Sequence, residues 1–307
     1  MDIIEVENLS KNFGEVHAVK GISFSVKEGE IFGFLGPNGA GKTTTIRIMT
    51  GVLEPTSGLV KIFGQDFWKN PIPIKQNIGG VPETANVYID LTGLYNLTFM
   101  GELYGIPKKV GEKRAEELLK QFNLYEKRNL KAKAYSKGMK QRLLICMALM
   151  SDPKILFLDE PTSGLDVQSS ILIIHLIKEY NKKGTTIFLT THNMEVANEL
   201  CDRIAIINKG KIVSLNTPEN LKKLFQENHS VEVSFNQEVG KEEFEQHFSA
   251  KEVEKIKDGW RLIVNDVNKT IMDITDFVKK NHLEITRMLT PEPSLEEVFL
   301  KIIERGE

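Results

Sequence analysis

The sequence predicts an α/β core with an N-terminal antiparallel β part and an inserted helical subdomain, followed by a smaller α+β unit. Three observations carry that reading. Strand-like and helix-like segments alternate through the first two-thirds of the 307-residue chain, as an α/β architecture requires. Continuous apolar runs at 155–158, 187–189 and 204–207 have the character of strands buried on both faces. A glycine-rich run at 36–41 stands between an apolar strand and a helical segment.

Taken in chain order, Ile22-Ser23-Phe24-Ser25-Val26 alternates with period two and ends at the Lys27-Glu28-Gly29-Glu30 turn, as a half-exposed strand does. Ile31–Leu35 is the apolar strand before the glycine-rich run, and 44–49 is the helix after it. Residues 60–63 form a short strand closed by Gly64. From about 91 to 150 strand signals are missing and helical runs such as 113–122 take over, so a helical subdomain is expected at about 85–150. The three apolar strands follow, and a Lys209-Gly210 turn with 211–214 adds a hairpin. Thr217 then caps a helix whose first position is Pro218.

The expected domains are 1–225 and 230–307, joined by the polar run Gln226-Glu227-Asn228-His229. The second reads strand 231–235, helix 242–248, strand 253–256, strand 260–264, helix 270–279 and strand 283–288, a β-α-β-β-α-β order that predicts a ferredoxin-like fold. Ser294 with Glu297 three residues on is a capping box, which starts a last helix at Leu295.

Composition narrows the function. A formal net charge of -2 leaves no global basic field, so nucleic acid is not an expected partner. Cys146 and Cys201 are the only cysteines and both sit in apolar surroundings, which argues against a disulfide framework or a zinc site and for inert thiols in a reducing compartment. No charged-then-apolar leader is evident, and no apolar run reaches the ~18 residues a membrane span needs. Service to a membrane would therefore go through a partner.

Gly36-Pro37-Asn38-Gly39-Ala40-Gly41-Lys42-Thr43-Thr44 fits the phosphate-cradling pattern G-x-x-x-x-G-K-[ST]. Its backbone N–H groups and the following helix N-terminus would converge on a polyphosphate, with Lys42 at the β- and γ-phosphates and the Thr43 hydroxyl on Mg²⁺. ATP or GTP binding follows. Four apolar residues then deliver Asp159 and Glu160 to the end of a buried strand, Asp159 for the metal shell and Glu160 as general base toward the attacking water. Ser163-Gly164-Leu165-Asp166 follows at once, and His192 ends the next buried strand after Thr190-Thr191, placed for a γ-phosphate contact. Ser136 would cap a helix running to Met150 and create a second anion site.

Tyr135-Ser136-Lys137-Gly138-Met139-Lys140-Gln141-Arg142 resembles the signature of ATP-binding cassette (ABC) ATPases, commonly Leu-Ser-Gly-Gly-Gln. With the other motifs in the family's order, the resemblance covers residues 1 to about 220 and implies a P-loop ABC ATPase core using ATP and Mg²⁺. It also implies that Phe13 stacks on adenine. Two cassettes would pair head to tail as a homodimer or with a similar cassette, so that Ser136, Lys137, Gly138 and Met139 of one chain close on ATP held by the other. Ser163, Gly164, Leu165 and Asp166 would form a loop at that dimer interface. The expected role is an ATPase subunit of an exporter, peripheral on the cytoplasmic face of the cell membrane and working through a separate multi-span permease that selects the substrate.

Two departures stand out. Lys137 replaces a glycine, in a signature version similar to that of the ABC-2 type drug and antibiotic exporters. Glu83, ending Ile78-Gly79-Gly80-Val81-Pro82-Glu83, stands in the loop position that usually carries glutamine; it keeps an oxygen ligand for metal while adding negative charge near Asp159 and Glu160. Leu289-Thr290-Pro291-Glu292-Pro293-Ser294-Leu295-Glu296-Glu297-Val298-Phe299 resembles the ending of that exporter branch, for which dimerisation or regulation is the expected role. The charged residues 241–245 read as a solvated helix face. A soluble, non-transport ABC ATPase is the alternative, and an ATP-holding module without turnover is disfavoured by the intact Lys42, Asp159, Glu160 and His192.

Overall fold

A computed structural model describes residues 1–84, 86–223, 229–240, 244, 248, 250–291 and 294–305. The chain divides into two compact units, 1–218 with 302–307, and 219–301. It begins with β1 (Asp2–Phe13), β2 (Val16–Lys27), β3 (Ile31–Leu35), α1 (Lys42–Met49), β4 (Ser57–Ile62), β5 (Gln65–Asp66), α2 (Pro71–Lys75) and β6 (Ile78–Val81). Next come α3 (Gly93–Leu103), α4 (Lys108–Gln121), α5 (Lys137–Leu149), β7 (Ile155–Asp159), α6 (Val167–Lys182), β8 (Thr186–Thr191), α7 (Met194–Leu200), β9 (Arg203–Asn208), β10 (Lys211–Asn216) and α8 (Pro218–Lys223).

The antiparallel N-terminal sheet has the order β2-β1-β4-β5. Its first hairpin is far longer than the alternating segment at 22–26, pairing Phe13 with Val16 at the turn and Asp2 with Lys27 at the far end. The central sheet, β10-β9-β3-β8-β7-β6, is parallel except for β10, which folds back on β9. Every residue of β3, β7 and β8 is buried, which accounts for their lack of polar alternation.

Strand β6 corrects the sequence reading, which treated 78–83 as a loop. Its Gly79-Gly80 pair has little intrinsic strand preference. Burial selects it nonetheless: a Cβ on Gly79 would come within 2.7 Å of the Ala148 carbonyl oxygen at the end of α5.

A cluster of five phenylalanines holds the two sheets together. Phe188 on β8 lies with ring centroids 6.0 Å from Phe24 of β2, 5.7 Å from Phe32 and 5.6 Å from Phe34 of β3, and 5.7 Å from Phe157 of β7. Phe32 and Phe188 are register partners in the parallel ladder, so the stack follows from strand pairing.

The block between β6 and β7 is helical, as expected. Thr92 caps α3 by accepting the Tyr95 N–H, and the fully buried Asn96 ties the preceding loop down, accepting from the Tyr88 N–H at 2.8 Å and donating to the Tyr88 and Thr92 carbonyls. Cys146 and Cys201 are buried, and burial pushes both thiols well above their ordinary pKa.

The second unit contains β11 (His229–Phe235), β12 (Glu252–Ile256), β13 (Gly259–Val264), α9 (Val267–Lys280), β14 (Ile285–Leu289) and most of α10 (Leu295–Arg305). Its sheet order is β12-β13-β11-β14 with every pair antiparallel, the sheet that the expected β-α-β-β-α-β order builds. His229 opens β11 and so leaves the expected linker, whose Gln226, Glu227 and Asn228 lie outside the described residues. Most of the helix expected at 242–248, and the charged face at 241–245, also lie outside them, although Phe244 and Phe248 are described and buried with Trp260 and Phe277. Within the exporter-like ending, Glu292 and Pro293 are likewise outside. The capping box forms reciprocally, Glu297 N–H to Ser294 Oγ at 3.1 Å and Ser294 N–H to Glu297 Oε2 at 3.2 Å.

Phe188→Ala is expected to cost about 3–5 kcal/mol of stability, since it removes the ring common to four aromatic contacts and opens a cavity the sheets cannot close. A urea midpoint unchanged from wild type would show that the two sheets are joined by other contacts.

Candidate active site

The glycine-rich loop is shaped by what lies behind it. A Cβ on Gly36 would meet the Ile207 carbonyl oxygen at 2.3 Å, and one on Gly41, which has φ +111°, would meet the Ala18 carbonyl oxygen at 2.6 Å. Backbone packs where side chains would be, so only glycine serves. The turn between β9 and β10 braces the loop from the same side, with Gly210 N–H donating to Ala40 O at 3.0 Å. Helix α1 starts at Lys42, two residues earlier than expected, with Gly41 as its N-cap and no side-chain cap or acidic residue in its first turn. Its first-turn N–H groups and positive dipole end therefore have no anionic side chain of their own to satisfy them, a donor set that suits a polyphosphate.

Lys42 is buried, its Nζ donating to Gly36 O at 2.6 Å and lying 3.7 Å from Glu160 Oε1. The other Glu160 oxygen, Oε2, faces His192 Nδ1 at 2.9 Å and the His192 N–H at 3.3 Å. Glu160 itself is 7 % exposed, so each oxygen of a carboxylate hidden from solvent has a partner. Its φ of +49° is a left-handed backbone for a non-glycine residue, of the kind that collects at functional sites.

Asp159, also buried, lies beside the Thr43 hydroxyl, with Oγ1 3.5 Å from Oδ1. These are hard oxygen donors without a sulfur or imidazole between them, the donor type that suits Mg²⁺. The Thr190 hydroxyl, on the adjacent strand, donates to Asp159 Oδ1 and accepts the Glu160 N–H at 3.2 Å. Sequence reasoning quoted Thr190 without giving it a role. The only signal was its place two residues before His192.

A cavity of about 460 Å³ brings Lys42, Thr43, Glu160 and His192 together, whereas Asp159 is not in its wall and lines a second cavity with Ile78 and Phe157. The walls of the first include Pro37, Asn38, Gly39, Gly41, Lys42, Thr43 and Thr44 of the loop, with Glu83, Glu160, Ser163 and His192. Ala18 of β2 also lines it, a residue that nothing in the sequence singled out. Glu83 is exposed, two residues past the end of β6. Phe13 is not in the wall; it is 50 % exposed at the tip of the first hairpin, with the Lys11 ammonium 5.3 Å from its ring centre.

Ser136, Lys137, Gly138 and Met139 are not part of this cavity in the same chain, nor are Gly164, Leu165 and Asp166. They meet one another instead. Ser136 caps α5 by accepting the Met139 N–H at 3.3 Å. Asp166 caps α6 by accepting from the Ser169 N–H at 2.8 Å and from its hydroxyl, bonds that hold the Asp166 carboxyl below its usual pKa. A Cβ on Gly138 would come within 2.3 Å of Ser169 Oγ, so the two helix N-termini cross at a glycine.

Known proteins are similar to this chain in sequence and fold. The ABC transporter family matches residues 19–163, and the family described as ATP-binding protein DrrA1-3-like, C-terminal domain, matches residues 217–303. The bacitracin transport ATP-binding protein BcrA of Bacillus licheniformis is 35% identical over 99% of this chain and 98% of its own length. The linearmycin resistance ATP-binding protein LnrL of Bacillus subtilis (strain 168) is 42% identical over 71% of this chain and 70% of its own. Among solved structures, an ATP-binding subunit of an ABC transporter superposes with a TM-score of 0.67 at 30% identity, covering 73% of this chain and 93% of that one. A dimeric ATP-binding cassette in a post-hydrolysis state, bound to ADP and Pi, does so with a TM-score of 0.65 at 29% identity, over 70% of this chain and 98% of that one. With the phosphate loop, Glu160 and His192 on one cavity and an end-to-end relationship to a transport ATP-binding protein, this chain belongs to the nucleotide-binding ATPases of ABC transporters, in the ABC-2 type drug and antibiotic exporter branch.

Proposed function

We propose that this chain hydrolyses ATP to drive an exporter whose membrane-spanning path is a separate polypeptide. The observation that carries the proposal is the convergence of Lys42, Thr43, Glu83, Glu160 and His192 on one cavity at the C-terminal ends of parallel strands. Among the described residues no helix is long and apolar enough to cross a membrane. We place the chain on the cytoplasmic face of the cell membrane, where ATP and the inner surface of a permease meet.

In this reading the loop N–H groups and Lys42 bind the polyphosphate, whose oxygens take the place of Gly36 O at the Lys42 ammonium. Bound Mg²⁺ would neutralise charge on the phosphate oxygens, held by Thr43 and Asp159 with Glu83 as a further oxygen. Glu160 takes a proton from the attacking water, whose oxygen bonds to the γ-phosphorus as the bond to the ADP oxygen breaks. His192 is hydrogen-bonded to that carboxylate and so orients the base while reaching the γ-phosphate. Ser136 to Met139, absent from the cavity of their own chain, would close on ATP held by a second copy or a similar cassette, with 163–166 between them.

Glu160→Gln is expected to lower turnover by roughly 10²- to 10⁴-fold while ATP binding persists and the closed dimer accumulates. Wild-type chain isolated from its native membrane should bring a multi-span protein with it and hydrolyse ATP at a rate altered by that partner and abolished by Glu160→Gln. Isolation with soluble proteins alone would overturn the transport assignment in favour of a soluble ABC ATPase. For Glu83, Glu83→Ala should raise the Mg²⁺ concentration for half-maximal hydrolysis by about tenfold, with Glu83→Gln close to wild type; an unchanged Mg²⁺ requirement in both variants removes Glu83 from the metal site.

A further inference from the structure

Lys137 occupies a position that its own helix does not explain. It is the first residue of α5, where the positive end of the helix dipole disfavours a cation, and it stands where the resembled signature has glycine. Its side chain runs across to the loop between β7 and α6. A Cβ built on Gly164 would lie 2.3 Å from Lys137 Nζ and 3.7 Å from Cε, and apart from the chain neighbours of Gly164 no other described group comes within 4 Å of that point.

That loop is anchored at both ends, and in its middle the Leu165 N–H donates to Thr162 O at 3.3 Å. At its start, Glu160 N–H is held by Thr190, and Ser163 N–H donates back to Glu160 O at 3.1 Å. At its end, Asp166 caps α6. Gly164, exposed and at φ +63°, is the midpoint. Ser163, next to it, lines the same cavity as Glu160. A glycine at 137 would have no side chain to reach Gly164, so this contact exists through the lysine alone.

We propose that Lys137 is a positioning residue for hydrolysis: by resting on Gly164 it fixes the 160–166 loop, and through Ser163 the main chain of Glu160, to the N-terminus of α5. The inference rests on the reading of Glu160 as the general base. It ties the N-terminus of α5 to the geometry of the base within one chain, a link that a glycine at 137 lacks.

The test compares Lys137→Met, which keeps much of the stem and removes the charge, Lys137→Gly, which removes the contact, and Lys137→Arg, which can still bridge to Gly164. Hydrogen exchange is read in the nucleotide-free chain and steady-state kinetics with MgATP. Exchange at the Ser163 and Leu165 amides is expected to rise about three- to fivefold in Lys137→Gly and Lys137→Met, with α5 amides unchanged, because one exposed contact has been lost. In the same variants kcat should fall by a similar factor with KM within about twofold, and Lys137→Arg should restore both readings. Unchanged exchange at Ser163 and Leu165 overturns the proposal. So does a rise in KM with kcat and exchange unaffected, which would make Lys137 a nucleotide contact only. Because exchange is measured without turnover, it stands or falls apart from the ATPase assignment, whose own failure would appear as undiminished hydrolysis in Glu160→Gln.

Discussion

The register of three parallel strands is the constraint on which the rest of the molecule depends. β3 pairs with β8 so that Leu35 lies opposite Thr191, and β7 pairs with β8 so that Asp159 lies opposite Thr190. A slip of one residue between β7 and β8 would put Asp159 and Thr190 on opposite faces and separate them. The aromatic stack around Phe188 locks that register, because each ring is buried among rings from neighbouring strands and from the first sheet. Core packing and site geometry are thus one problem. The strand ends that the phenylalanines align are the ends that carry the phosphate loop, the two carboxylates and the histidine.

Buried charge at the site is partnered. Lys42 and Glu160 are both nearly inaccessible and lie within ion-pair distance, and Glu160 has His192 on its second oxygen. An isolated charge in such a place would be strongly destabilising, whereas a paired and hydrogen-bonded one is tolerated. The same contacts keep Glu160, Lys42 and His192 mutually oriented. The backbone adds strain where it is useful: Glu160 has a left-handed φ at the point where the chain leaves β7, and two hydrogen bonds to Thr190 hold it there.

The residues named for a second cassette form a compact assembly of their own. The caps of α5 and α6, Ser136 and Asp166, lie at helix N-termini that approach across Gly138, and Arg142 secures α5 by donating to Phe122 O at 2.8 Å. Substituting lysine for the usual glycine at 137 alters this assembly rather than the cavity. The second unit has its own hydrophobic core, built on Val231, Val233, Phe244, Trp260 and Phe277.

Much of this was legible in the sequence because local rules suffice for it. Apolar runs ending in charged or polar residues marked β7 and β8, glycine spacing before a lysine marked the phosphate loop, and Ser294 with Glu297 marked a helix start that forms as written. Other features had no local signal. β6 contains Gly79-Gly80 and is a strand because it pairs with β7, with the end of α5 too close to Gly79 for a side chain. Ala18 enters the cavity wall only because the long first hairpin lies against the loop, and Thr190 bridges Asp159 and Glu160 only because two strands distant in sequence are neighbours. The sequence by itself determined which residue types carry the chemistry and on which elements they ride, since motif spacing and hydrophobic period are local. Only the tertiary structure decided which groups touch, because contact across a sheet depends on strand order and register, and no short segment of the chain encodes either.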